Sequence, residues 1–308
     1  MINRVLIRIK AVQMIYAYYQ SGSKDLVKAE KEFFQSLEKS YELYHYLLQL
    51  VPEVTRYAEQ RIDSARNKYL PTEEEKNPNF RFVENAFAAQ VISNKSLANY
   101  VRNKRISWSN NESFVKSIYE TLLSSDFYAE YMGLSATDYE TDKELWRKIF
   151  KRILQNNETL CEVLEEQSIY WNDDLDIVIT FVIKTIKRFK PESGAMQELL
   201  PMFKDETDKT FASDLFRASI VHGEEYRKLI DESVKNWEIE RLAMMDLFIL
   251  QVALAEISEI EGIPVSVSMN EYIDIAKIYS TQKSGTFVNG TLDQIVTVLR
   301  SQNKLFKA

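Results

Sequence analysis

Few side chains in this sequence have the types and spacing that bond-making chemistry needs. The two histidines, His45 and His222, stand far apart, and Cys161 is the one cysteine in 308 residues. No disulfide framework, cysteine-rich zinc site or nucleophile with a neighbouring base follows from them. Carboxylates are abundant, but none falls into a recognisable catalytic constellation, and no glycine-rich phosphate loop occurs. What remains is adhesion. Arg4 and Arg8, four residues apart near the start, lie between two apolar bands of one predicted helix, and Lys10 lies further round it. Guanidinium groups beside aromatic rings suit phosphates and stacked bases; a solvated surface pair is the other reading.

The elements that position these residues are expected to be helices. Glycine and proline number 7 and 6, fewer than a turn-rich sheet topology uses. A hydrophobic share of 45% against 28% charged is a globular balance, and the length allows one large or two ordinary domains. The net charge of −7 argues against coating nucleic acid by bulk electrostatics, so such binding needs a local patch. Arg4, Arg8 and Lys10 interrupt the apolar residues of the N-terminus, which reads as neither signal peptide nor membrane anchor. "LAMMDLFILQVALAEI" is broken by Asp246, Gln251 and Glu256 and is too polar to span a bilayer. A cytoplasmic protein with no metal or cofactor is the expectation.

Helical periodicity runs over residues 25–69, 83–105, 113–132, 142–168 and 173–189, with breaks at "PTEEEKNPNFRF" and "KPESG". The first helix carries one stripe of Val5, Ile9, Val12, Tyr16 and Tyr19 and a second of Ile7, Ala11, Met14 and Tyr18. A helix apolar on two sides needs two covers, its own core and something else. Shifted by 66 residues, Asp142–Trp171 lies over Asp208–Trp237 without a gap, pairing Phe150 with Phe216, Glu158 with Glu224 and Trp171 with Trp237. Either two amphipathic helices align by chance or a helical unit is duplicated. "YVRNKRISW" and "KTIKRFK" mix cations with aromatics, a composition that also suits helix ends near the negative pole of the dipole.

The C-terminal third is the most informative. The helix beginning at Trp237 is apolar on most of its circumference, so it should be central, stopping at Gly262–Pro264. Ser268 and Glu271 have the spacing of a capping box, and Thr286 is placed to cap the last helix. There Val288, Leu292, Ile295 and Leu299 form one core stripe, Phe287 points off it, and Gly290 suggests a close helix approach. Phe287 either closes the loop against its own helix or meets a partner or a base beside Lys283.

"RIKAVQMIYAYYQSG", "FASDLFRASIVHGEEYRKLIDESVKNWEIERLAMMDLFILQVALAEI" and above all "IPVSVSMNEYIDIAKIYSTQKSGTFVNGTLDQI" resemble the NusB family of transcription antitermination factors. The resemblance implies an all-α, NusB-like bundle of two packed helical subdomains formed by residues 1–20 and 208–308. Residues 21–207 are then an inserted helical region, part of it a decayed copy of the NusB unit if the repeat is real. It implies a non-enzymatic factor that binds boxA-like single-stranded ribosomal RNA together with NusE, a ribosomal small-subunit protein, to modify RNA polymerase. Similar helical domains precede some RNA cytosine methyltransferases, but no α/β cofactor-binding pattern appears in these residues. Carried over by position, the RNA-binding residues are Arg4, Arg8, Gln13, Tyr16, Phe287 and Asn289, with Lys10 and Lys283 as further cations. Tyr18 and Met14, on the second band, are the partner-binding candidates. Val5 and Leu6 stand where family members often continue an arginine run, and Lys283 stands where an acid is common. A helical interaction scaffold without RNA binding is the alternative function.

Overall fold

The computed structural model describes residues 1–171, 173–234, 243–305 and 307. Among them the chain forms helices and helical turns and no strand beyond a single bridge between Ile2 and Phe203. In chain order the first eight helices are α1 (Arg4–Gln20), α2 (Leu26–Leu48), α3 (Leu50–Arg66), α4 (Glu73–Lys76), α5 (Ala86–Ile92), α6 (Lys95–Lys104), α7 (Glu112–Leu123) and α8 (Asp126–Met132). They are followed by α9 (Tyr139–Ile149), α10 (Glu158–Gln167), α11 (Leu175–Arg188), α12 (Glu206–Val221), α13 (Gly223–Ser233), α14 (Met244–Glu259), α15 (Val265–Tyr279) and α16 (Ser284–Ser301).

Several helices expected to be continuous are divided, for local reasons. The 25–69 helix breaks at Gln49 because Pro52 lacks the amide that would bond Leu48 and its ring crowds that carbonyl. Asn94 accepts from Leu97 N at 2.9 Å and Asn157 from Leu160 N at 2.8 Å. Each side chain offers the backbone a cap that a continuing helix would not need, so α6 and α10 start afresh. Between α9 and α10 the chain widens into a π-helical turn, Phe150–Leu154, and Asn156 takes a left-handed φ of 58°. The connection after Tyr69 holds α4, closed by a capping box between Thr72 and Glu75.

The chain divides into two compact units, one of Met1 and Lys39–Pro201, the other of Ile2–Glu38 and Met202–Ala308, with a boundary inside α2. The expected boundaries were at 20/21 and 207/208. In the first unit α3 packs on α5 and α7, and α9 packs on α5 and α11. Its centre holds Phe82, Trp108, Trp146 and Phe150, each 1% exposed or less. In the second unit α14 is the central helix: it meets α1, α12, α13, α15 and α16, and Ile249, Leu250 and Val252 to Ala255 are fully buried. Burying a Leu or Ile side chain is worth about 1.5–3 kcal/mol, so this helix supplies much of the unit's cohesion. Both apolar bands of α1 start in that core: Ile7 and Ala11 are as inaccessible as Val12, with α12, α14 and α15 packed around the helix.

The two stretches aligned at a shift of 66 residues each form helix, break and helix at matching positions, α9–α10 against α12–α13. Ile149, Phe150, Leu160 and Leu164 are buried, and so are their counterparts Leu215, Phe216, Tyr226 and Ile230. Trp237 lies outside the described residues, as does the expected start of the α14 helix.

Three expectations for the C-terminal third are corrected. No capping box forms at Ser268: α15 begins at Val265, after Pro264, and Ser268 is buried within it, donating to Glu256 Oε1 at 2.7 Å. Thr286 caps nothing, because α16 begins two residues earlier, where the Ser284 hydroxyl donates to Asp246 Oδ2 at 2.8 Å. Gly290 makes no close approach to the described residues, since a Cβ there would meet none of them within 4 Å. Close approaches fall instead at Gly223, where a Cβ would run into the Tyr19 hydroxyl and come to 2.8 Å from Gln251 Nε2, and at Gly285, where it would come to 2.8 Å from Lys277 Cγ. The α16 stripe of Val288, Leu292, Ile295 and Leu299 is buried as the spacing predicts.

Candidate nucleic-acid interface

The first helix starts where Asn3 accepts from Leu6 N at 3.0 Å, and it runs antiparallel to α14, so that Arg8 meets Glu256 and Tyr16 meets Phe248. This pairing decides the fate of the N-terminal cations. Arg8 is 3% exposed; Nε and Nη2 each donate to a Glu256 oxygen at 2.8 Å, and Nη1 lies 3.2 Å from Glu271. Glu256, itself fully buried, also accepts from Ser268 Oγ at 2.7 Å and from the Tyr272 hydroxyl at 2.9 Å. Burial alone would lower the Arg8 pKa, but the hydrogen bonds and charge of Glu256 outweigh it and hold the group above its ordinary value. Burial pushes the Tyr272 phenol well above its ordinary value. Lys307 Nζ closes the end of α14 by donating to the carbonyls of Glu256 and Ile260 at 3.2 and 2.6 Å.

Arg8 therefore does not belong to an exposed basic patch. Neither does Lys10, which is 2% exposed. A guanidinium or ammonium sealed inside the unit cannot meet a phosphate without exposing its partners, so the structure corrects both as direct contacts. Arg4 is different. Its side chain keeps 41% of its accessibility, Nε reaches Asp208 at 3.3 Å, and the guanidinium lies 5.0 Å from the centre of the Phe211 ring. Arg8 lies 5.5 Å from the same ring, so Phe211 carries both arginines.

The remaining candidates gather at the other end of α14. Tyr16 is half-buried, edge-on to Phe248 at 5.6 Å; Tyr19 stacks on Phe248 at 5.5 Å and carries the Arg227 guanidinium 3.6 Å from its ring centre. Gln13, Met14 and Tyr18 are half-buried, and burial, with Tyr19 and Asp25 nearby, raises the Tyr18 phenol pKa. Asp246, in the first turn of α14, holds Ser284 and with it the start of α16. Lys283 and Asn289 are exposed and Phe287 is half-buried. Asp246 and Glu256 are ten residues apart in one helix, roughly 15 Å. The predicted residues thus form two groups on one scaffold, Arg4 at one end and Tyr16 and the α16 start at the other.

Asp208, Glu256 and Glu271, the carboxylates that hold the arginines, were not anticipated. A signal for Glu256 existed: a carboxylate in the middle of an otherwise apolar helix has to be paired when buried. Among the described residues no group of three or more histidine, cysteine or carboxylate side chains is placed to hold a metal ion. No described helix is long and apolar enough to cross a membrane. What this arrangement offers is one accessible cation at each end, Arg4 and Lys283, and the half-buried aromatic rings of Tyr16, Tyr18 and Phe287.

Fold and site together define an all-helical protein built around a buried arginine–glutamate pair. The family described as "NusB family" matches residues 180–297, beginning within α11. The transcription antitermination protein NusB of Salinibacter ruber is 38% identical over 132 residues, which cover 41% of this chain and 82% of that protein. The protein of the same name from Geobacter sulfurreducens is 37% identical over 113 residues, 35% of this chain and 82% of its own length. That from Halalkalibacterium halodurans is 28% identical over 148 residues, 48% of this chain and 99% of its own. No solved structure gives a significant match. The chain belongs to the NusB family.

Proposed function

We propose that this protein is a transcription antitermination factor that works by adhesion and catalyses no reaction. On this reading it binds boxA-like single-stranded RNA together with NusE, in the cytoplasm, as part of an antitermination complex on RNA polymerase. The observation that carries the reading is the 38% identity over four-fifths of a relative named for antitermination. The exposed or half-exposed residues supply the contacts: Arg4 and Lys283 for phosphates, and Gln13, Tyr16, Phe287 and Asn289 for bases and riboses. Met14 and Tyr18 face the protein partner. Arg8 and Lys10 act indirectly, by holding α1 in place.

The burial of Arg8 and Lys10 favours a second reading, a helical interaction scaffold that does not bind RNA, because it leaves Arg4 as the one accessible cation of the three on α1. Fluorescence anisotropy of a labelled boxA-like RNA, titrated with the protein in the presence and absence of purified NusE, separates the two. Antitermination requires binding that NusE strengthens. No binding in either condition, with folded protein, establishes the scaffold.

A further inference from the structure

The unit formed by residues 39–201 has a charged surface that the reading above leaves unused. Several of its cations are neutralised locally: Arg56 and Glu53, Lys68 and Glu75, Lys76 and Glu73, and the half-buried Arg147 and Glu144 are ion pairs. The basic ends of α6 and α11 differ. Arg102, Lys184, Lys187, Arg188 and Lys190 are all exposed, and none is in an ion pair among the described residues. The helix dipole accounts for cations in a last turn, such as Arg102, Lys187 and Arg188. It does not account for Lys184, a turn earlier, or for Lys190, beyond the helix.

These two ends flank one aromatic cluster. The His45 ring stacks on Tyr100 of α6 with centres 3.6 Å apart, and Tyr41 stands edge-on to Tyr100 at 5.5 Å. On the other side the Tyr44 hydroxyl bonds Thr185 Oγ1 of α11 at 2.7 Å, and Arg188 is near enough for its charge to act on the Tyr44 phenol. Tyr41 and Tyr100 remain half-exposed, and burial lowers the His45 pKa to about 4, so the stack is neutral near pH 7. The segment between α11 and Leu200 carries Glu192 and Glu198, two carboxylates against five cations. Unneutralised cations around half-exposed aromatic rings combine an electrostatic track for a backbone with a platform for bases.

We propose that this surface binds single-stranded RNA, with phosphates on Arg102, Lys184, Arg188 and Lys190 and bases against Tyr41 and Tyr100. The proposal does not depend on boxA or NusE. The probe is a fluorescein-labelled 15-nucleotide oligouridine titrated with the full-length protein at several salt concentrations. A 4-thiouridine version is photocrosslinked and the attached peptide sequenced. Arg102→Gln with Arg188→Gln, shown by circular dichroism to keep the fold, should weaken binding at least tenfold. It should also make the slope of log affinity against log salt shallower by about 1.4, from two phosphate contacts at about 0.7 each. Crosslinked peptides should contain Tyr41 or Tyr100. Affinity within twofold of the unsubstituted protein, or crosslinks confined to residues 2–38 and 202–308, overturns the proposal. Failure of NusE to strengthen boxA binding overturns the antitermination reading and leaves this result standing.

Discussion

Two regions of this protein carry cations beside aromatic rings, and the structure treats them in opposite ways. Around α1, Arg8 is sealed against Glu256 and Glu271 and Arg4 is tethered to Asp208, all supplied from about 200 residues or more away. At the ends of α6 and α11, Arg102, Lys184, Lys187, Arg188 and Lys190 form no ion pair among the described residues and stay in solvent. In sequence the two look alike. What separates a structural cation from an available one is whether the fold brings an acid to it, and desolvation then makes that pairing obligatory. His45 is the third case: buried like Arg8 but, among the described residues, hydrogen-bonded to the Tyr41 carbonyl alone, at 2.9 Å, it gives up its proton where Arg8 keeps its own.

The comparison breaks most readily at Arg8. Arg8→Ala leaves Glu256 buried without its counter-ion and should destabilise the second unit by about 3–5 kcal/mol, read as a lower midpoint in urea; a loss under 1 kcal/mol would mean that the pair is not structural. His45 tests the unpartnered case. Between pH 6.5 and about 4 the unfolded chain binds a proton that the folded chain refuses, so stability should fall as pH falls through that window. The loss approaches about 3 kcal/mol at its lower end. His45→Gln should remove that dependence. Arg4→Ala, at a half-exposed pair, should cost less than about 1 kcal/mol of stability. Arg102→Gln with Arg188→Gln should cost least, within about 0.5 kcal/mol, because no partner is stranded.

Helical content and the buried stripes were legible because a period of 3.6 needs only neighbours in sequence: Val288, Leu292, Ile295 and Leu299 point inward as their spacing says. Helix ends were less legible. Asn94 and Asn157 stop helices whose apolar period runs on, and Pro52 divides a segment that reads as continuous. The site was half legible. Exposure at Lys283 follows from its place in the loop before α16 and that of Asn289 from its place off the apolar stripe, whereas the burial of Arg8 depends on Glu256, which α14 brings to it across the second unit. Gly290 misled because a glycine in a helix signals close approach only when a neighbour is there, and here the neighbours are at Gly223 and Gly285.

On the proposed function, Arg4 and Lys283, and not Arg8 or Lys10, are the cations that this NusB-family domain offers to RNA. The direct measurement is the salt dependence of boxA-like RNA binding, with NusE present, for the unsubstituted protein and for Arg4→Ala with Lys283→Ala. The double substitution should make the slope of log affinity against log salt shallower by about 1.4 while the urea midpoint barely moves. An unchanged slope, with RNA still bound, would contradict it.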